Sequence, residues 1–141
     1  MALITKPSSI GNWRQEGGAF ELTVSMEGTG SATAYMIGNQ IFVDCATAEV
    51  SKWVGLTVPF DMKIIDQKNI LDGTTSSTVM AYNGGSKIAV VAATGTTEGA
   101  VVRATAIDTS VWAFSKGDTD LYLEVTTAAF IGVVVLDFIA T

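Results

Sequence analysis

Few side chains in this sequence could carry chemistry, and their types limit what they can do. The chain has 141 residues, no histidine and one cysteine, which removes the commonest general base near neutral pH and the commonest zinc ligand together. Without histidine, Cys45 has no base to activate it and no serine can belong to a Ser-His-Asp triad. Cys45 follows Phe42-Val43-Asp44 and reads as a small buried hydrophobe rather than a reactive thiol. Paired carboxylates are the one catalytic route left, because a glycosidase needs two of them across the scissile bond. The nearest pairs in sequence are Asp61/Asp66 and Asp118/Asp120. Asp118 and Asp120 would share a face on a strand, but Gly117-Asp118-Thr119-Asp120 reads as a turn entering one. Calcium is the sharper reading of that pair, yet no Asp-x-Asp-x-Asp-Gly loop is present. Asn83-Gly84-Gly85-Ser86-Lys87 has the flavour of a phosphate loop but lacks the upstream glycine and the following helix. It reads as a hairpin turn. The expectation is no catalytic residue, no metal site, no cofactor and no enzymatic activity.

Trp13, Trp53 and Trp112 could stack on sugar rings, as tryptophans do on carbohydrate-binding sandwiches. Buried tryptophans more often fill a core or an interface. That reading places Trp53 and Trp112 in the core and Trp13 at an interface.

Composition narrows the partners. Eight Lys and Arg stand against fourteen Asp and Glu, a net charge of −6 with only two arginines, which argues against nucleic acid and anionic membranes. Hydrophobic residues make up 48% and charged residues 16%, against roughly 25% charged in an ordinary soluble domain. Part of that apolar surface is expected to be buried against other chains. A single cysteine cannot form an internal disulfide, which fits synthesis in a cytoplasm. Met1-Ala2-Leu3-Ile4-Thr5-Lys6-Pro7 does not read as a secretory signal. The longest apolar stretch, Ala128 to Leu136, ends at Asp137, short of the roughly 18 residues a membrane helix needs.

The elements that must position these residues are strands. Gly, Thr, Ser and Val dominate, and β-branched residues suit pleated surfaces while glycine supplies turns. Residues 1–20, with Pro7, Gly11, Gly17 and Gly18, read as an extended N-terminal arm whose apolar teeth are Leu3, Ile4, Ile10 and Trp13. A single β-sandwich domain is expected over 21–141. Strands are predicted at Phe20–Met26, Ala34–Ile37, Gln40–Asp44, Val54–Val58, Met62–Asp66, Thr78–Tyr82, Lys87–Ala92, Val101–Ile107, Leu121–Thr126 and Gly132–Phe138. Gly38-Asn39 predicts a two-residue hairpin and Asn83 to Ser86 a slightly longer one. The best helical candidate, Ala46 to Trp53, spans two turns at most before Gly55. Short strands at regular spacing without helices predict an all-β antiparallel sandwich or barrel.

From about Thr57 onward, the order of motifs resembles the small jelly-roll head decoration, or cement, proteins of tailed bacteriophages. The resemblance is carried by Val58-Pro59-Phe60-Asp61-Met62-Lys63-Ile64-Ile65-Asp66, Thr78-Val79-Met80-Ala81-Tyr82-Asn83-Gly84-Gly85 and Ala104-Thr105-Ala106-Ile107-Asp108. Lys116-Gly117-Asp118-Thr119-Asp120-Leu121-Tyr122-Leu123 and Val133-Val134-Val135-Leu136-Asp137-Phe138 complete it. It covers about 85 residues, each motif being a strand with its turn; the first 55 residues fall outside it.

The resemblance implies a jelly-roll virion protein without an active site, made in the host cytoplasm and bound to the capsid exterior. Such a protein would bind the major capsid protein lattice as a homotrimer and stabilise it. The arm residues Leu3, Ile4, Ile10 and Trp13 would then sit at the capsid or subunit interface. A different reading remains open: a carbohydrate- or receptor-binding sandwich of a head fibre or tail adhesin, since jelly rolls host both uses.

Overall fold

The computed structural model describes residues 20–141, so the arm positions Leu3, Ile4, Ile10 and Trp13 lie outside the described residues. Fourteen strands run through it: β1 (Phe20–Leu22), β2 (Val24–Met26), β3 (Gly30–Ile37), β4 (Gln40–Ala48), β5 (Trp53–Leu56), β6 (Met62–Leu71) and β7 (Thr78–Asn83). They continue with β8 (Ser86–Lys87), β9 (Ala89–Val90), β10 (Val101–Arg103), β11 (Ala106–Ile107), β12 (Ala113–Phe114), β13 (Leu121–Thr126) and β14 (Phe130–Ala140). A seven-stranded sheet is ordered β1-β3-β4-β14-β6-β10 with β12 also on β6, and a five-stranded sheet is ordered β2-β5-β13-β7-β8. β9 and β11 form a short separate ladder. The fold is an antiparallel β-sandwich. Among the described residues, no helix is long and apolar enough to cross a membrane.

Period-two alternation builds the core between the sheets. On the larger sheet Ile41 and Val43 of β4, Val134 and Leu136 of β14, and Met62 and Ile64 of β6 point inward and are buried. Val54 and Leu56, Leu121 and Leu123, and Val79 and Ala81 meet them from the smaller sheet. Two polar residues break the apolar pattern: Gln67 and Asn69 lie on the inner face of β6 with no exposure. The Gln67 side-chain amide behaves like a peptide unit toward the opposite sheet. Its Nε2 donates to the Val79 carbonyl at 2.8 Å and its Oε1 accepts from the Ala81 N–H at 3.1 Å. Nε2 also donates to Asn69 Oδ1 at 2.8 Å, and Asn69 Nδ2 donates to the same Val79 carbonyl at 2.9 Å. The edge of β7 that turns away from β13 is thereby satisfied inside the core.

Three of the predicted strands are divided because the chain changes partner within them. Phe20–Met26 splits at Thr23, where the chain passes from the larger to the smaller sheet and the Thr23 carbonyl accepts from Thr57 N–H. Val101–Ile107 splits where Ala104 N–H donates to the Gln67 carbonyl while Thr105 N–H turns to the Val90 carbonyl. Lys87–Ala92 likewise shortens to β8 and β9, with Ile88 N–H bonded to the Ala81 carbonyl between them. The helical candidate Ala46 to Trp53 is instead the end of β4, a turn and the start of β5. β13 takes the backbone groups that a helix would need: Ser51 N–H donates to the Val125 carbonyl and Val125 N–H to the Lys52 carbonyl. Ser51 at φ 65 forms the corner.

Both hairpins are two-residue turns. Ile37 pairs with Gln40 around Gly38-Asn39, as expected, and Asn83 with Ser86 around Gly84-Gly85, where a slightly longer loop was expected. Gly38 and Gly84 have φ of 61 and 59 while the second turn residues do not enter the left-handed region, the pattern of a type II′ turn.

Candidate functional site

The carboxylates singled out by spacing serve turns and ladders rather than a shared centre. Ser115 to Asp118 forms a β-turn in which Asp118 N–H donates to the Ser115 carbonyl at 3.0 Å, with Gly117 at φ 87. Asp118 Oδ2 accepts from Ser115 N–H at 2.8 Å, and Asp61 Oδ1 accepts from Lys116 N–H at 2.8 Å. Asp61 and Asp118 thus fasten one turn, whereas spacing had joined Asp61 to Asp66 and Asp118 to Asp120. Asp120 is exposed, and its carbonyl accepts from Gly84 N–H. Asp66 is bound to Arg103, whose Nε donates at 2.6 Å and whose Nη2 lies 2.5 Å away. Asp137 sits directly across from Asp66 on β14 and accepts from Gln40 Nε2 at 2.9 Å. Among the described residues, no three His, Cys, Asp or Glu side chains are grouped to hold a metal.

Cys45 is buried on the inner face of β4. Burial first, and the neighbouring Asp44 charge second, push its thiol from an ordinary 9.0 up to about 12. The thiolate is the nucleophile, so this position is inert near neutral pH.

Two outer faces hold what the catalytic inventory lacks. On the larger sheet, the register aligns Thr33, Asp44, Val133, Ile70 and Val101 in one row across β3, β4, β14, β6 and β10. Val101 is 57% exposed, and Ile131, two residues before Val133 on β14, is 44% exposed. The neighbouring row contains Tyr35 stacked on Phe42, with ring centroids 5.5 Å apart, and then Val135 and Lys68. Val135 is buried although it points away from the core. The result is an apolar stripe over β14, β6 and the edge strand β10, with Asp44, Lys68 and Arg103 around it.

On the smaller sheet, the register aligns Ser25, Gly55, Tyr122, Tyr82 and Lys87 across all five strands. Tyr122 and Tyr82 stack with centroids 5.2 Å apart and planes 7° from parallel. Trp53 fills the gap that Gly55 leaves beside Tyr122: a Cβ on Gly55 would lie 3.0 Å from Trp53 Cζ3. Its ring meets Tyr122 at 6.4 Å and 62°, and Trp53 is 37% exposed. This corrects the expectation that Trp53 belongs to the core, because it occupies the outward phase of β5 while Val54 takes the inward one. Trp112 does pack against the core, with Lys63 Nζ 5.3 Å over its ring. Glu124 stands opposite Trp53 on β13. Burial, and then the hydrogen bond to Glu124, hold the Tyr82 phenol above its ordinary value, so it remains a neutral donor.

The concavities are open clefts. One of about 580 Å³ is lined by Lys87, Ile88, Val90, Ile107 and Asp108, and an apolar one of about 150 Å³ lies between Leu71, Thr75, Ala129 and Ile131. In the larger one Ser110 also lines the wall, and its hydroxyl and N–H both donate to Asp108 Oδ1, at 2.6 and 2.9 Å, as a local turn contact. No family model, curated protein or solved structure matches this chain.

Proposed function

We propose that the protein is a virion structural protein that decorates a phage capsid, binding the outer surface of the major capsid protein lattice as a homotrimer. The observation that carries this reading is the apolar stripe on the outer face of the larger sheet, where Val133, Ile70, Val101 and Ile131 lie side by side on neighbouring strands. Contiguous exposed apolar surface on a folded domain marks a docking site. The strand order supports the jelly-roll part of the reading. Strands β4, β14, β6 and β10 face β5, β13, β7 and β8, so the chain crosses between sheets at each step from β4 to β7, and the last strand returns between β4 and β6. Such an order is what a double Greek key of jelly-roll type would give, and it supports the reading to that extent.

Function on this reading resides in surfaces. A protein that binds only the assembled lattice stabilises it by its binding free energy. The stripe is the face offered to neighbouring copies or to the capsid, and the flanking charges set register more than affinity. Sedimentation of the wild type with expanded capsids, and alone at micromolar concentration, tests this. The expected result is a trimer near three times 14.7 kDa that co-sediments with capsids, both weakened by Val101→Asp. A clean monomer with no capsid association would overturn it.

A further inference from the structure

We propose that the outer face of the five-stranded sheet is a binding site for a neutral oligosaccharide, with the Trp53 indole as its floor and Tyr122 and Tyr82 as its wall. The site lies on the sheet opposite the apolar stripe and does not depend on capsid decoration.

Trp53 is held from both sides by strand hydrogen bonding. Glu27 N–H donates to its carbonyl at 3.0 Å, and it pairs with Glu124 across β5 and β13. Gly55 lets the ring lie close on the sheet, since a Cβ there, 3.0 Å from Trp53 Cζ3, would make it shift outward by a few tenths of an ångström. A large aromatic left more than a third exposed against a glycine floor does little for the core. It presents a flat surface already in place, so a ligand needs no reorganisation of the site. From β5 to β7 the three rings span roughly 10 Å at the usual strand spacing, the length of two linked pyranose rings.

Ring faces are electron-rich and attract the C–H face of a pyranose, while the hydroxyls at its rim need donors and acceptors. The same face supplies both: Ser25 and Lys87 end the aromatic row, and Glu124 stands beside it. Lys87 offsets only one of the two carboxylates near the row, Glu124 and the exposed Asp120 two residues before Tyr122, so the patch keeps a slight negative charge. That charge disfavours an anionic glycan and leaves a neutral one as the ligand. A quaternary ammonium would want the carboxylate without the lysine, and a nucleic-acid strand would need a cationic groove.

The test is an array of neutral glucan, mannan and galactan oligosaccharides beside uronic-acid and sialylated glycans, followed by NMR titration of the strongest neutral hit. The expected result is binding to neutral glycans, with perturbation of the Trp53 indole N–H signal. That signal is identified by its loss in Trp53→Phe. Affinity should fall at least about tenfold in Trp53→Ala, as truncating an exposed aromatic contact does. Gly55→Ala keeps the tryptophan but lifts it, and should weaken binding several-fold with an unchanged circular dichroism spectrum. Val101→Asp should bind glycans normally, which separates this site from the docking stripe. Binding to charged glycans alone, binding indifferent to Trp53→Ala and Gly55→Ala, or no glycan binding at all would each overturn the proposal.

Discussion

Gln67 shows how one side chain can join two sheets. Its amide satisfies the Ala81 N–H and the Val79 carbonyl in a site without solvent exposure. Replacing it with leucine would preserve much of the volume but leave the Ala81 N–H and Asn69 Oδ1 buried without these partners, while the Val79 carbonyl still accepts from Asn69. Each orphaned group costs about 1–3 kcal/mol, so Gln67→Leu should destabilise the fold by about 3 kcal/mol in urea denaturation. Asn69→Leu should cost less, because the Val79 carbonyl still accepts from Gln67. Equal and negligible losses for both would show that the network contributes little. Nothing in the sequence singles out this pair, since Lys68-Asn69 beside Gln67 reads as a polar strand end. The alternation that buries Ile64 continues through Gln67 only because Ile65 is an extra residue at a β-bulge, where Asp137 pairs with Asp66 and Phe138 with Ile64. The same limit applied to Trp53, whose outward phase depended on where β5 begins.

At the level of the strand, β14 is the spine of the larger sheet, pairing with β4 on one side and β6 on the other. Its register shifts between Phe130 and Gly132. A Cβ at Gly132 would stand 2.2 Å from the Ile70 carbonyl oxygen and 2.7 Å from Phe130 Cζ. The first of these obstacles is backbone and cannot rotate away. Gly132→Ala should therefore cost on the order of 3 kcal/mol as an overpacked core position, read as a lower urea midpoint, while Gly73→Ala, with only Ile131 Cβ at 3.9 Å, should be near neutral. An unchanged midpoint in Gly132→Ala would show that the sheet can spread there. Elements of this kind were largely legible in the residues. The apolar runs at Leu121–Thr126 and Gly132–Phe138 and the Gly38-Asn39 turn give the central strands and the first hairpin directly. What alternation could not show was partner exchange: Val101–Ile107 looks like one strand, and nothing local at Ala104-Thr105 announces that its hydrogen bonds leave β6 for β9.

For the whole molecule, stability against pH follows from which groups the fold perturbs, and the two limbs have opposite signs. Glu49 is held below its ordinary value first by the Thr29 hydroxyl and then by the Thr29 N–H, and Asp108 likewise by Ser110. A carboxylate depressed in the folded state adds stability above its unfolded pKa and loses it as pH falls through the folded one. The acid limb therefore begins below about pH 4. Asp108 is exposed and Glu49 only half-buried, so it should be shallow. Cys45 acts in reverse: its thiol stays neutral in the fold up to about 12, whereas the unfolded chain releases the proton near 9.0. The stability this represents is complete below 9.0 and is lost as pH rises toward 12. Tyr82 and Tyr122, raised above their ordinary 10.0 chiefly by burial, add to the loss only at higher pH. No histidine titrates between these limbs. Thermal melts from pH 3 to 10.5 should show a plateau across pH 6 to 8 and a decline that starts near pH 9. In Cys45→Ala the alkaline onset should move up by roughly one pH unit, toward the tyrosine range. An alkaline limb identical in wild type and Cys45→Ala would remove the thiol from this account and leave the tyrosines as its source.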